Sequence, residues 1–428
     1  MPNTTYSALE FKNTPVFATQ MDENDELKIY RQQFYFPQHN YEDVVYFTGN
    51  SLGLQPKTTK NYIEQELNDW AKFGVEGHFL AKNPWLSYHE LLTEKMAKIV
   101  GALPSETVVM NQLTVNLHLL MVSFYRPTKQ RYKILCEAKA FPSDQYALQS
   151  QIKFHGFNIE DTLIEIATRE GEYTLQHDDI YAAIEKHKDS LALILIGGVN
   201  YFTGQVFDMK AITEAGHKAG AIVGFDLAHA AGNLNLELHN WNVDFAAWCG
   251  YKYLNSGPGS VAGAFVHETH HKNTELPLFA GWWGHDKKTR FLMDSTFVPI
   301  QTSERWQLSN APVLSMAACR ASLDIFEEVG MQKLNKKSNQ LTAYLEFIID
   351  EINKQKNNCL QIITPKHNRG CQISIVANGY GKSLYSKLIE RGVIADWREP
   401  NVIRCAPVPL YNSFLDVYRF GSLLNEIL

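Results

Sequence analysis

The chain has 428 residues, and its 40 Lys and Arg against 46 Asp and Glu give a formal net charge of −6. With 45% hydrophobic and 20% charged residues, it carries enough apolar surface to offset the entropy of ordering, which excludes a largely disordered chain. The mildly acidic balance gives no reason to expect nucleic acid or an anionic membrane as a partner, and no apolar run approaches the ~20 residues of a membrane span.

At roughly 150 residues per domain the length suggests about two to three domains. Residues 1–50 are rich in Asn, Gln and Tyr and cannot build a core alone, so they are expected to pack on the rest. They show no basic segment followed by an apolar run, hence no secretory signal. Six cysteines (Cys136, Cys249, Cys319, Cys359, Cys371 and Cys405) include no C-x-x-C pair and read as reduced, mostly buried thiols of a cytoplasmic protein.

Residues 51–311 alternate apolar runs with helical stretches. The runs are Thr107–Met110, Lys133–Cys136, Leu163–Ile166, Leu191–Ile196, Ala221–Phe225, Phe245–Cys249 and Val261–Val266; the helical stretches include Ser143–Phe154, Asp178–Lys188 and Lys210–Ala219. Ser143 reads as an N-cap with Asp144 in the first turn. Strands with few charges, separated by helices, predict an α/β domain around a largely parallel sheet. Residues 312–428 change texture: helices over Pro312–Val329 and Leu334–Lys354, then strands near Gln372–Val376, Val393–Ala395 and Val402–Ala406 around a helix at Ser383–Arg391. They predict a smaller α+β domain.

The most informative segment is Gly224-Phe-Asp226-Leu-Ala-His229. An apolar strand ends in Asp226, with His229 three residues on. The next strand runs into Tyr251-Lys252. In open α/β sheets ligands bind beyond the carboxyl ends of the strands, so neighbouring strand ends deliver an Asp and a Lys to one edge. Pyridoxal phosphate chemistry needs that pair: a lysine to capture the aldehyde and an acid to keep the pyridine nitrogen protonated. A free lysine, with a pKa of ~10.4, has to be held neutral to attack. The same residues also read as a helix cap and a solvated lysine. Upstream, Leu113-Thr114 opens a helix whose amides and hydroxyl suit a phosphate, and Phe141-Pro142-Ser143-Asp144 forms a second strand-to-helix junction. Thr114 also reads as a plain N-cap and Phe141 as a core aromatic.

Taken in order, these segments resemble the kynureninase family of fold-type-I pyridoxal-phosphate hydrolases over almost the whole chain. Further pieces are Phe47-Thr-Gly-Asn-Ser51-Leu-Gly, Gly77-His78-Phe, Gly281-Trp282-Trp283-Gly-His, Leu308-Ser-Asn310 and Val402-Ile-Arg404-Cys-Ala-Pro. The resemblance implies cleavage of kynurenine or 3-hydroxykynurenine to anthranilate or 3-hydroxyanthranilate plus alanine, within tryptophan catabolism and the route to pyridine nucleotides. It implies that Lys252 is the Schiff-base lysine and general base, Asp226 the partner of the ring nitrogen, and His229 a cofactor-pocket residue. Leu113 and Thr114 match the phosphate turn, and Phe141, Pro142, Ser143 and Asp144 the ring and phosphate junction. Tyr251 matches a tyrosine touching the phosphate, and either it or Lys252 reads as the acid that protonates Cβ. Arg404 matches the clamp on the α-carboxylate. Ser51, His78 and Asn310 match the substrate pocket of members that favour the 3-hydroxylated substrate. Trp282 and Asn310 match positions reaching over from a second subunit, which implies a homodimer with the active site at its interface.

His267-Glu268-Thr-His-His271 fits H-E-x-x-H, but it follows a strand directly and has no helical stripe, so it reads as a polar surface turn rather than a zinc site. Gly257-Pro258-Gly259-Ser-Val-Ala-Gly263 lacks dinucleotide spacing and reads as a turn. Two rivals stand against hydrolytic cleavage. A cysteine desulfurase or aminotransferase would share the fold, but Cys405 beside the clamp suits packing better than persulfide chemistry. A catalytically dead scaffold would have little use for Lys252, Asp226 and Arg404 together.

Overall fold

The computed structural model describes residues 10–428; the part of the N-terminal expectation that falls on 1–9 lies outside the described residues. Seven strands form the large sheet: β1 Thr107–Met110, β2 Lys133–Glu137, β3 Leu163–Ile166, β4 Leu191–Gly197, β5 Ile222–Asp226, β6 Phe245–Cys249 and β7 Ala262–Val266. Their order is β1-β7-β6-β5-β4-β2-β3. β2 through β6 pair in parallel. β5, β6 and β7 are buried almost throughout, as expected of a sheet covered by helices on both faces.

One strand departs from the parallel scheme. β7 runs antiparallel to both β6 and β1. The connection from Cys249 to Ala262 carries no crossover helix, and without one the chain returns beside β6 in the opposite sense. This return loop carries Lys252.

The helix after β2 spans Pro142–Phe154, with proline in its first turn and Phe141 at the cap position. Proline sets that start one residue early, so Ser143 is not the N-cap expected of it. The helix after β1 spans Leu113–Phe124 with no side-chain cap, so Thr114 is not a cap either. Both hydroxyls are left to face each other.

The C-terminal part holds an antiparallel four-stranded sheet ordered Leu360–Ile362, Ile373–Ala377, Val402–Cys405, Asp396–Arg398. It packs on the helices Met331–Gln355 and Phe414–Ile427 in a second hydrophobic core. The N-terminal region joins both cores: Phe34 enters the main one, Ala18 and Phe47 enter the second, and Val45–Tyr46 pairs in parallel with Val393–Ile394.

The H-E-x-x-H segment is a single 3-10 turn whose Glu268 and Thr269 are exposed as expected, but its histidines do not share that surface position. His267 and His271 are buried, His267 stacks on His239 at 5.2 Å, and His270 bonds Asp244 at 2.7 Å. Acceptors from distant elements hold it in.

Candidate active site

Asp226 ends β5, and its register partners are Gly197 on β4 and Ala247 on β6. Two residues past Cys249, Tyr251 and Lys252 stand on the return loop. The strand ends therefore open one cavity of about 270 Å³, and its walls include Thr114, Phe141, Ser143, Asp144, Asp226, His229, Tyr251 and Lys252. Leu113 also lines it. Nine sequence-derived residues thus meet in one place.

The local bonds define what the cavity offers. Lys252 Nζ donates to His229 Nε2 at 3.0 Å and lies 5.8 Å from the centre of the Phe141 ring. Phe141 is 43% exposed, so it is a wall of the cavity and not a core aromatic. Burial, with Lys252 and Arg404 nearby, drives His229 far below the usual imidazole range. It is a neutral acceptor, and its buried Nδ1 has no partner. Asp226 Oδ1 accepts from the Ala228 amide at 2.7 Å. It does cap the turn after β5, while still facing the cavity.

The acid side is crowded. Burial raises both Asp144 and Asp226, and their carboxyls meet in a hydrogen bond; the charge of Asp226 pushes Asp144 further up. Two buried carboxyls so close share one proton between them. Glu137, the last residue of β2, lines the same cavity. A buried wall with three carboxyl groups and one lysine calls for a further cation. At the other side, Thr114 Oγ1 and Ser143 Oγ lie 2.8 Å apart at the starts of two helices, where amides and hydroxyls suit a phosphate. The cationic ring nitrogen and anionic phosphate of pyridoxal phosphate match these two ends, and the residues present fit that group.

Other residues stand elsewhere. Arg404 does not line the cavity; it is 1% exposed and donates to Tyr201 O at 2.5 Å, and Tyr201 is a cavity wall. Pro142 starts its helix outside the cavity lining. His78 bonds Val75 O at 2.9 Å and packs edge-on against Trp85. Ser51 is exposed on a loop whose Gly53 amide bonds Tyr251 O at 2.9 Å. Trp282 is 44% exposed, with Nε1 donating to Arg290 O at 3.1 Å, and Asn310 is exposed. None of these last four lines the cavity. Sequence reasoning missed Glu137, Tyr201 and Cys249. Glu137 had a readable signal: a carboxylate closing an apolar strand at the same sheet edge as Asp226.

Solved structures share the architecture. A cysteine desulfurase from Thermococcus onnurineus superposes with a TM-score of 0.73 at 18% identity, covering 90% of this chain and 94% of that one. A C-DES variant with glycine covalently linked to the PLP cofactor gives 0.75 at 16% identity, covering 92% and 98%. The fold is the one shared by fold-type-I enzymes, and the cavity's residues fit pyridoxal phosphate.

The sequence comparisons narrow this. The kynureninase of Flavobacterium psychrophilum is 60% identical over 97% of this chain and 98% of that protein, and human kynureninase is 49% identical over 96% and 92%. The model of the kynureninase C-terminal domain matches residues 334–424. The chain belongs to the kynureninase family, the pyridoxal-phosphate hydrolases that cleave kynurenine to anthranilate and alanine. Among the described residues no helix is long and apolar enough to cross a membrane.

Proposed function

We propose that Lys252 is the catalytic base and the residue that binds the cofactor aldehyde, with Asp226 holding the ring nitrogen and Asp144 supporting Asp226. The observation that carries this is the shared cavity: Lys252 and Asp226 both line it, and the only lysine among its walls sits 3.0 Å from a neutral imidazole acceptor. Leu113, Thr114 and Ser143 would hold the phosphate, and Phe141 and His229 would stand beside the ring. When bound, pyridoxal phosphate supplies the electron sink for charge left on a substrate carbon.

The chain's own residues then divide the work. Arg404 clamps the α-carboxylate, for which a planar guanidinium offers paired donors. Nζ of Lys252 takes the Cα proton, and His229 Nε2 keeps that amine turned into the cavity. The Tyr251 phenol is pushed up to about 12 by burial and by the neighbouring Cys249 and Asp226. It therefore keeps its proton at neutral pH and serves as the donor to Cβ.

We assign the 3-hydroxylated substrate as the preferred one, through Ser51, His78 and Asn310, because a polar pocket left unpaired disfavours the analogue without the hydroxyl. Those residues and Trp282 lie outside the cavity of one chain, which supports a homodimer whose partner completes the site. Exposed Phe279, Trp282, Phe291, Leu292, Met293 and Val298 supply an apolar face of the kind such an interface covers. Six free cysteines, five of them buried, support a cytoplasmic setting.

Side-by-side turnover of kynurenine and 3-hydroxykynurenine tests the substrate assignment; equal or reversed kcat/KM overturns it. Lys252→Ala is expected to abolish turnover and the visible band of bound cofactor. Mixing Lys252→Ala with Trp282→Ala protein is expected to alter the remaining activity only if sites are shared, and a monomer in sedimentation overturns the dimer.

A further inference from the structure

Glu137 is a buried carboxyl in the cofactor cavity that the mechanism above does not use. It closes β2, opposite Ile166 of β3. The paired register of β2 and β4 reaches only Leu135 and Ile194, so the amide of Gly197 at the end of β4 has no ladder partner on that side. Glu137 fills the opening: the Gly197 amide donates to its two carboxylate oxygens at 3.2 and 3.3 Å. Gly197 is in turn the register partner of Asp226. A side chain on Gly197 would place its Cβ 3.0 Å from Glu137 Oε1, so the carboxyl lies hard against the backbone beside Asp226.

The charges around it are lopsided. From β5 comes Asp226, from the helix Pro142–Phe154 Asp144, and from the return loop Lys252 and Tyr251. Tyr201, Cys249 and the neutral His229 complete the titratable walls. One cation faces three carboxyls, and one proton is already held between Asp144 and Asp226. Burial, with the charge of Asp226, raises Glu137 to about 7. A carboxyl in such a place keeps part of its proton even at neutral pH and gives it up when another positive charge arrives.

We propose that Glu137 is a proton-holding positioning residue of the cofactor site, carrying a proton in the cofactor-free protein and releasing it when a cationic ring nitrogen docks against Asp226. The O–H bond of the carboxyl breaks, the proton leaves to the buffer, and no electron moves. The wall becomes one unit more negative as the ring nitrogen brings one positive charge, so the sum over wall and ring is preserved, and Gly197 remains bonded throughout. The inference rests on Asp226 as the ring-nitrogen partner.

The test counts protons. Cofactor-free protein is titrated with pyridoxal phosphate by calorimetry in buffers of different ionisation enthalpy, whose slope gives the protons released. Glu137→Gln keeps an acceptor for the Gly197 amide but cannot release a proton. It is expected to lower the release at pH 7 by roughly half a proton, the share held by a group half-titrated there, and to move the pH midpoint of the visible band. An unchanged count and midpoint overturn the proposal, because a merely structural Glu137 would leave both untouched. Should Glu137→Gln fail to fold, Glu137→Asp keeps a carboxyl at altered reach. Its release curve is expected to be displaced along the pH axis, and a curve matching the wild type overturns the proposal. Wild-type protein that takes up no cofactor overturns the reading of Asp226 instead, and this proposal with it.

Discussion

Arg404 and Asp396 are direct register partners across an antiparallel pair, and their side chains close an ion pair over the strand. Arg404 is almost wholly buried, and burial works against its charge while Asp396 supports it. A second guanidinium, Arg398, reaches the same carboxylate at 3.2 Å. Arg404 Nε stays buried without a partner. The guanidinium is thus anchored at both terminal nitrogens, by Tyr201 and by Asp396, and keeps a donor in reserve.

That anchoring makes Asp396 a positioning residue for carboxylate binding. Asp396→Asn is expected to raise KM for kynurenine on the order of tenfold, equivalent to about 1.4 kcal/mol, with a smaller change in kcat. Removing one partner of a buried pair also costs about 3–5 kcal/mol of stability, so the melting temperature falls as well. A KM equal to wild type in folded Asp396→Asn would show that Arg404 is held without it.

The Lys252–His229 contact yields a prediction about pH. Burial and neighbouring cations push His229 well below its usual range, so it stays neutral between pH 6 and 8. Protonation there would need a lower pH than the ordinary ~6.5. The kcat/KM profile of the wild type should therefore show no inflection from this residue near neutrality. His229→Gln is expected to lower kcat/KM by roughly 10² by loosening the lysine while leaving the profile's shape intact. Loss of an acidic limb in the variant would show that His229 titrates in the working range.

How far the sequence could be read follows from where each signal resides. Asp226 and Lys252 were legible because each follows a strand of nearly unbroken apolar residues, and such strands end at a sheet edge. The direction of β7 was not, since alternation and apolarity carry no sense of direction. Ser143 looked like a cap because its residue type suits one; Pro142 before it claimed the start of the helix. The short strand Asp396–Arg398 escaped because two of its three residues are charged, and with it escaped the partner of Arg404. His267 and His271 are held against the His239 and Val266 carbonyls and His270 against Asp244, and of these His239 and Asp244 are brought near only by the fold. Glu137 was passed over because its strand was read as ending one residue early, at Cys136.

Gly53 tests how tightly the lysine loop is held. A Cβ there would fall 2.4 Å from the backbone oxygen of Lys252 and 2.2 Å from Asn255 Oδ1. The first of these is backbone and cannot swing aside. Gly53→Ala is expected to displace the return loop, weaken pyridoxal phosphate binding by about tenfold and cost roughly 1–3 kcal/mol of stability. Equilibrium dialysis of the cofactor measures the first effect and thermal unfolding the second; wild-type values in both would mean that the loop yields freely.

Glu304 links the segment bearing Trp282 and Asn310 to the rest of the molecule. Its carboxylate accepts from His89 at 2.8 Å and from Lys287 at 2.9 Å, and Lys287 also reaches Glu90 at 2.9 Å. Burial alone would raise Glu304, but the bonds from His89 and Lys287 prevail and hold it at about 2, below the ordinary 4.5. A depressed carboxylate binds fewer protons folded than unfolded. Its contribution is fully present above pH ~4.5 and is lost as pH falls toward 2. The size is on the order of 3 kcal/mol. Glu304→Gln should therefore be destabilised at pH 7 by a similar amount and lose less stability than the wild type between pH 4.5 and 2.5. Urea unfolding at a series of pH values compares the two slopes, and parallel curves would show that Glu304 is not held charged by these partners.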